Sequence, residues 1–274
     1  MFDAASLSHQ RSRGELILSF KRRDGRTVLD GLRQEGCLKA RFPRPGAADW
    51  AEAVTLNSSG GVAGGDALTV TVRAGPGTQA AVASQAAERF YRALPGTRAR
   101  VITRLQVGPG AALDWLPQEA ILFDRCALRR ELRIDLAADA RFLGVESLVF
   151  GRTAMGERVQ EAELDDLIAV RREGKLALHD RTRLCGPVAE LLERPAIGAG
   201  ASAVATIIAA GPEVEAKLDV VREVLSPHDA GASAWDGMLL ARITAPDGAC
   251  LREAVVAGLS VLRGGRKLPR VWLC

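Results

Sequence analysis

Short runs of apolar–polar alternation, broken at near-regular intervals by tight-turn residues, constrain this chain more than any other feature. In ELILSF, Leu16, Leu18 and Phe20 share one face; in ALTVTVR, Leu68, Val70 and Val72 do; in ELRIDL, Leu132, Ile134 and Leu136 do; in KLALHD, Leu176 and Leu178 do. Successive strand side chains point to opposite faces, so these runs read as half-buried strands. The breakers are GPG at 75–77, PG at 95–96, GPG at 108–110, AADA at 137–140 and EGK at 173–175. A unit of strand, turn and strand recurs. TVRAGPGTQAAV aligns with RLQVGPGAALDW at an offset of 33, and RIDLAADARFLG aligns with the latter at an offset of 29. Units with such a period stack, as hairpins or as the coils of a solenoid.

Helical spacing is confined to GPEVEAKLDVVREVLSP (211–227), with Val214, Leu218, Val221 and Leu225 in phase, and to the shorter PVAELLERP (187–195). The expected fold is therefore mainly β, a solenoid-like stack of β-hairpins or strands with about two α-helices. No linker-like tract divides the chain, which reads as one domain over residues 1–274. A hydrophobic content of 47% supplies a substantial core.

Charge and ligand content narrow the function. The net charge of +4 is spread along the chain without a lysine-rich tract, which argues against nucleic-acid binding. No apolar run reaches the ~20 residues of a membrane span, and no signal-peptide layout opens the chain, so a cytoplasmic protein is expected. The cysteines (Cys37, Cys126, Cys185, Cys250, Cys274) are isolated, and the histidines are His9, His179 and His228. That supply is poor for a resident zinc, copper or nickel site, and no tightly bound cofactor is expected.

The glycine-rich TLNSSGGVAGGDALTV (55–70) invites a phosphate-loop reading and fails it. Gly60 and Gly65 have the P-loop glycine spacing, but Asp66 and Ala67 stand where lysine and a hydroxyl residue belong. The loop reads instead as a structural corner needing positive φ. Carboxylates are the better-placed chemistry: Glu119 and Asp124 in WLPQEAILFD, Glu146 in the apolar GVESLVFGR, and Glu157 in GRTAMGERV. An acid in an apolar strand is paired, protonated or facing water. Paired acids of this kind also leave open a β-solenoid hydrolase, although no nucleophile or base accompanies them. SQAAERFYRALPG carries Phe90, Tyr91 and Arg92 as a candidate contact surface.

Taken together, GELILSF, SGGVAGGDALTVTV, SQAAERFYRA, WLPQEAILFD, DARFLGVESLVFGRTAMGE and the closing PRVW resemble the UreD-type (UreH-type) urease accessory proteins. The resemblance runs in family order from about Gly14 to Trp272, with LPQEAILF and GRTAMGE its most specific pieces. It implies a solenoid-like β-fold and a non-catalytic role in urease maturation. The implied partners are urease apoprotein, a helical accessory protein and a nickel-carrying GTPase, with Ni²⁺ in transit only. A water-filled passage is the implied metal route, with Asp66, Glu119, Asp124, Glu146 and Glu157 as its candidate acids and Phe90, Tyr91 and Arg92 as candidate partner contacts.

Overall fold

The computed structural model describes residues 11–44, 50–152 and 156–273. In chain order the strands are β1 (Arg13–Arg23), β2 (Arg26–Gly36), β3 (Leu38–Arg41), β4 (Ala51–Asn57), β5 (Ala67–Ala74), β6 (Gln79–Ser84), β7 (Glu88–Phe90), β8 (Ala99–Val107), β9 (Ala112–Leu116), β10 (Ala120–Leu122), β11 (Ala127–Leu136), β12 (Arg141–Phe150), β13 (Glu161–Arg172) and β14 (Lys175–Pro187). Helix α1 (Val188–Glu193) and β15 (Ala203–Ala210) follow, then α2 (Leu218–Leu225), β16 (Asp229–Trp235), β17 (Met238–Ala245) and α3 (Gly248–Leu262). One sheet has the order β14-β13-β11-β8-β5-β1-β2; the other runs β16-β17-β15-β12-β9-β6-β4-β3, with β7 and β10 paired beside it.

The sequence echo is the strand register. Leu68 pairs with Val101 and Gln79 with Ala112, in parallel and 33 residues apart. Ala99 pairs with Leu128 and Ala112 with Arg141, 29 residues apart. Each GPG turn carries the chain out of one sheet and into the other, so the repeated unit is a solenoid coil and not a hairpin. The turns stack as the strands do: Gly77 N donates to Pro109 O (2.8 Å) and Gly110 N to Asp139 Oδ1 (2.9 Å). True hairpins occur towards the ends of the stack, as at β1–β2 and, through Glu173 and Gly174, at β13–β14.

The inward phase of each coil builds the core between the sheets, with Leu16, Leu18, Val72, Leu105, Leu113, Ile134 and Val170 fully buried. Burying a side chain of this size contributes about 1.5–3 kcal/mol. A second core lies on the far face of the second sheet, where α2 and α3 cover Val145, Ile207 and Leu239. The two expected helical segments appear as α1 and as a 3₁₀ turn leading into α2. Helix α3 is a third, which the sequence reading missed. It starts on an N-cap, Asp247, that accepts from Cys250 N at 2.8 Å. Its buried residues, Leu251, Ala254, Val255, Gly258, Leu259 and Leu262, keep helical spacing, but apolar residues on its other faces blur the stripe.

Candidate functional site

The chemistry of the chain lies inside the stack. Along β11, Leu128, Leu132, Ile134 and Leu136 point inward, and the same phase brings Arg130 with them. Its parallel neighbour in register on β13 is Asp166, in phase with Leu164 and Ile168. The two form a bidentate pair, Arg130 Nε to Asp166 Oδ1 at 2.8 Å and Nη2 to Oδ2 at 2.6 Å. The remaining Arg130 nitrogen, Nη1, crosses to the second sheet and meets Glu146 Oε2 at 2.7 Å. Trp115 on β9 donates from Nε1 to Glu146 Oε1 at 3.0 Å.

With both carboxylates ionised, one guanidinium leaves one negative charge uncompensated in a buried setting. Burial raises the pKa of Glu146, partly countered by Arg130. For Arg130, burial opposes the cation, but Asp166 and Glu146 outweigh it and the guanidinium is held above its ordinary range. The triad stands between two cavities that both touch Arg130 and Glu146. One, of about 300 Å³, extends to Asn57 and Glu88 beside the glycine loop. The other, of about 200 Å³, extends past Asp166 to Leu192, Ile197 and the Asp180–Arg242 ion pair. Among the described residues, no three His, Cys, Asp or Glu side chains gather as a metal-holding group.

Of the five acids singled out in the sequence, only Glu146 lines these cavities. Asp66 braces the glycine corner: its two oxygens accept from Ser12 N and Ala63 N, both at 2.8 Å. Glu119 pairs with Arg252 at 3.0 Å, and Glu157 with Arg152 at 2.8 Å. Asp124 Oδ1 accepts from Gln160 N and Glu161 N, at 2.8 and 3.0 Å. No hydrogen bond or ion pair among the described residues joins two of the five. The glycines are needed sterically: Gly61 has φ of 146°, and a Cβ there would lie 2.3 Å from the Tyr91 ring.

Alternation along β7 divides ERFY. Phe90 is 3% exposed and belongs to the core, so it offers a partner no surface, whereas Tyr91 and Arg92 are exposed. Tyr91 donates to Gly60 O at 3.0 Å and packs on Phe123 with centroids 5.0 Å apart, while Arg152 covers the Phe123 ring at 4.6 Å. Glu88 shares the inward phase of Phe90, and Asn57 Nδ2 donates to its carboxylate at 3.2 Å. Burial pushes the Glu88 pKa up to about 6. A carboxyl whose folded pKa exceeds its unfolded one favours the fold fully below the unfolded value, and that benefit fades as pH rises through the folded value. Glu88→Gln is therefore expected to melt higher than the parent at pH 8 and level with it at pH 4.5. Thermal melts across that range check this, and a difference independent of pH would refute it.

The fold is a parallel β-solenoid with a buried, polar Arg130–Glu146–Asp166 cluster between its sheets. The comparisons give the particular family. The family model described as "UreD urease accessory protein" matches residues 12–273. Relatives named urease accessory protein UreD include one from Rhizobium leguminosarum bv. viciae, 45% identical over 269 residues and 98% of each chain. Those from Chelativorans sp. (strain BNC1) and Xanthobacter autotrophicus (strain ATCC BAA-1158 / Py2) are 45% and 44% identical, covering 98% and 96% of this chain and 97% and 90% of their own. This chain belongs to the UreD urease accessory protein family, whose role is in urease maturation. No helix among the described residues is long and apolar enough to cross a membrane.

Proposed function

We propose that the chain is a non-catalytic, cytoplasmic metallochaperone that docks on urease apoprotein with a helical accessory protein and a nickel-carrying GTPase. Ni²⁺, its cargo, moves through the space between the sheets towards the urease active site. The observation that carries this reading is the Arg130–Glu146–Asp166 cluster, a single uncompensated negative charge between two interior cavities. Net negative charge attracts a divalent cation, while carboxylates and water hold nickel less firmly than thiolate or imidazole would. Arg130 already engages both Asp166 oxygens and one Glu146 oxygen, which weakens the hold further and suits release. Tyr91 and Arg92, with the exposed Leu94, form the proposed partner edge beside the Glu88 mouth.

Weak binding is the measurable consequence. Equilibrium dialysis of the full chain against Ni²⁺ is expected to give dissociation constants on the order of micromolar or weaker. Removing the five thiols should leave them unchanged. One tightly held metal per chain, lost on changing a cysteine or histidine, would overturn the transit reading. Co-expression with the two accessory partners should give a co-purifying assembly, and retention of neither partner nor urease would overturn the scaffold reading.

A further inference from the structure

A second polar site lies on the opposite side of β9. Trp115 points between the sheets; its neighbour Asp114 points the other way, beneath α3, as strand alternation requires. Asp114 is 3% exposed and faces two guanidiniums, Arg266 Nη1 at 3.0 Å and Arg263 Nε at 3.1 Å. Arg263 is 5% exposed. Its Nε is within ion-pair range of Asp114 but not aligned for a hydrogen bond, so this buried N–H stays unsatisfied. Arg266 packs flat on Trp50, 3.6 Å from the ring centroid. A cavity of about 330 Å³ opens beside these groups, and Arg141 and Lys217 also line it.

The charge count is lopsided. Four cations and one carboxylate line the cavity, and Glu52 also acts on Arg263. Burial holds the Arg263 pKa below its ordinary range in spite of Asp114. Surplus buried charge is costly unless a counter-charge joins it. Counting the edge cations Arg141 and Lys217, the lining is positive by more than one charge, so a multiply charged anion matches it better than a singly charged one. Guanidinium forks match the oxygens of such an anion, and the volume suits a compact ligand.

We propose that this cavity is a binding site for a small, multiply charged oxyanion of the phosphate class, held by Arg263, Arg266 and Lys217 with Arg141 at its mouth. The site is separate from the interior passage, since β9 stands between the two. Inorganic phosphate is the probe, and full-length protein is titrated calorimetrically and melted in phosphate, acetate or chloride at equal ionic strength. Phosphate is expected to bind saturably and to raise the melting temperature above the other two salts. Arg141→Gln and Lys217→Gln, both at the solvent edge, should each weaken phosphate binding about tenfold. Their melts in chloride should stay near the parent's. Arg104→Gln, on the outer face of the first sheet, should leave phosphate binding unchanged. Phosphate stabilisation no greater than that of chloride, or undiminished binding by the Arg141→Gln/Lys217→Gln double variant, would overturn the proposal.

Discussion

Glu146→Gln is expected to lower urease activation by at least about tenfold while leaving the fold and the partner assembly intact. The amide keeps the shape, but its one oxygen accepts from only one of the two donors that Glu146 serves, Trp115 Nε1 at 3.0 Å and Arg130 Nη1 at 2.7 Å, a loss of about 1–3 kcal/mol. What disappears is the unmatched charge, because Arg130 and Asp166 alone form a neutral pair. Arg130→Met should behave in the opposite way. It leaves two buried carboxylates without a counter-charge, a loss of about 3–5 kcal/mol. For a chain of this size that lowers the melting temperature by roughly 6–20 °C. Its pH dependence carries a sign. Burial already raises the Glu146 pKa and the variant loses the Arg130 cation that counters it, so the variant's stability relative to the parent is best at low pH and falls as pH rises through that raised value. A triple replacement of the cluster by apolar residues of similar volume should regain stability and still fail to activate urease. Normal activation by Glu146→Gln would remove the cluster from the metal route, and a normal melt for Arg130→Met would refute the burial argument.

Much of the fold was legible because a solenoid repeats its own signal. The 33- and 29-residue offsets are the pairing registers, and the GPG turns mark where the chain changes sheets. Hairpin and coil share one local pattern, so only the parallel pairing of distant strands separates them. Part of the site was legible too. Extending the Leu132–Leu136 phase back by two residues reaches Arg130, and the phase of Leu164 and Ile168 contains Asp166, so charged residues in an inward phase were the available clue. Asp66, Glu119, Asp124 and Glu157 also sit in family motifs, and in the structure each braces a loop or a docked segment. Motif membership does not separate a brace from a lining residue. The basic cavity joins Asp114 to Arg266 across 152 residues of chain, and no local pattern encodes a contact made only when α3 packs on the second sheet.

Trp272→Ala should be among the most damaging single changes outside the central core. Trp272 is 4% exposed, and its Nε1 donates to Leu116 O at 3.0 Å. Arg252 of α3 ties the region together: it lies 5.0 Å over the Trp272 ring and bonds Trp272 O at 2.9 Å, Gln118 Oε1 at 2.6 Å and Glu119 Oε1 at 3.0 Å. Gln118 Nε2 returns a bond to Val271 O at 2.8 Å. LPQE and PRVW, far apart in sequence, are thus two halves of one clasp, and its Gln118 also forms part of the wall of the larger interior cavity. Removing the indole leaves a cavity and an orphaned carbonyl, a loss of about 3–5 kcal/mol. The melting temperature should fall by roughly 6–20 °C, and limited proteolysis should release the segment after α3. Trp272→Phe keeps most of the apolar area and loses the N–H donor, so it should fall between the two, about 1–3 kcal/mol below the parent. Glu119→Gln keeps a neutral acceptor for Arg252 and should melt within about 1 kcal/mol of the parent. Calorimetry across this series orders the clasp's contributions. A Trp272→Ala protein that melts with the parent and resists proteolysis would show that the clasp is not what holds the C-terminal segment on the solenoid.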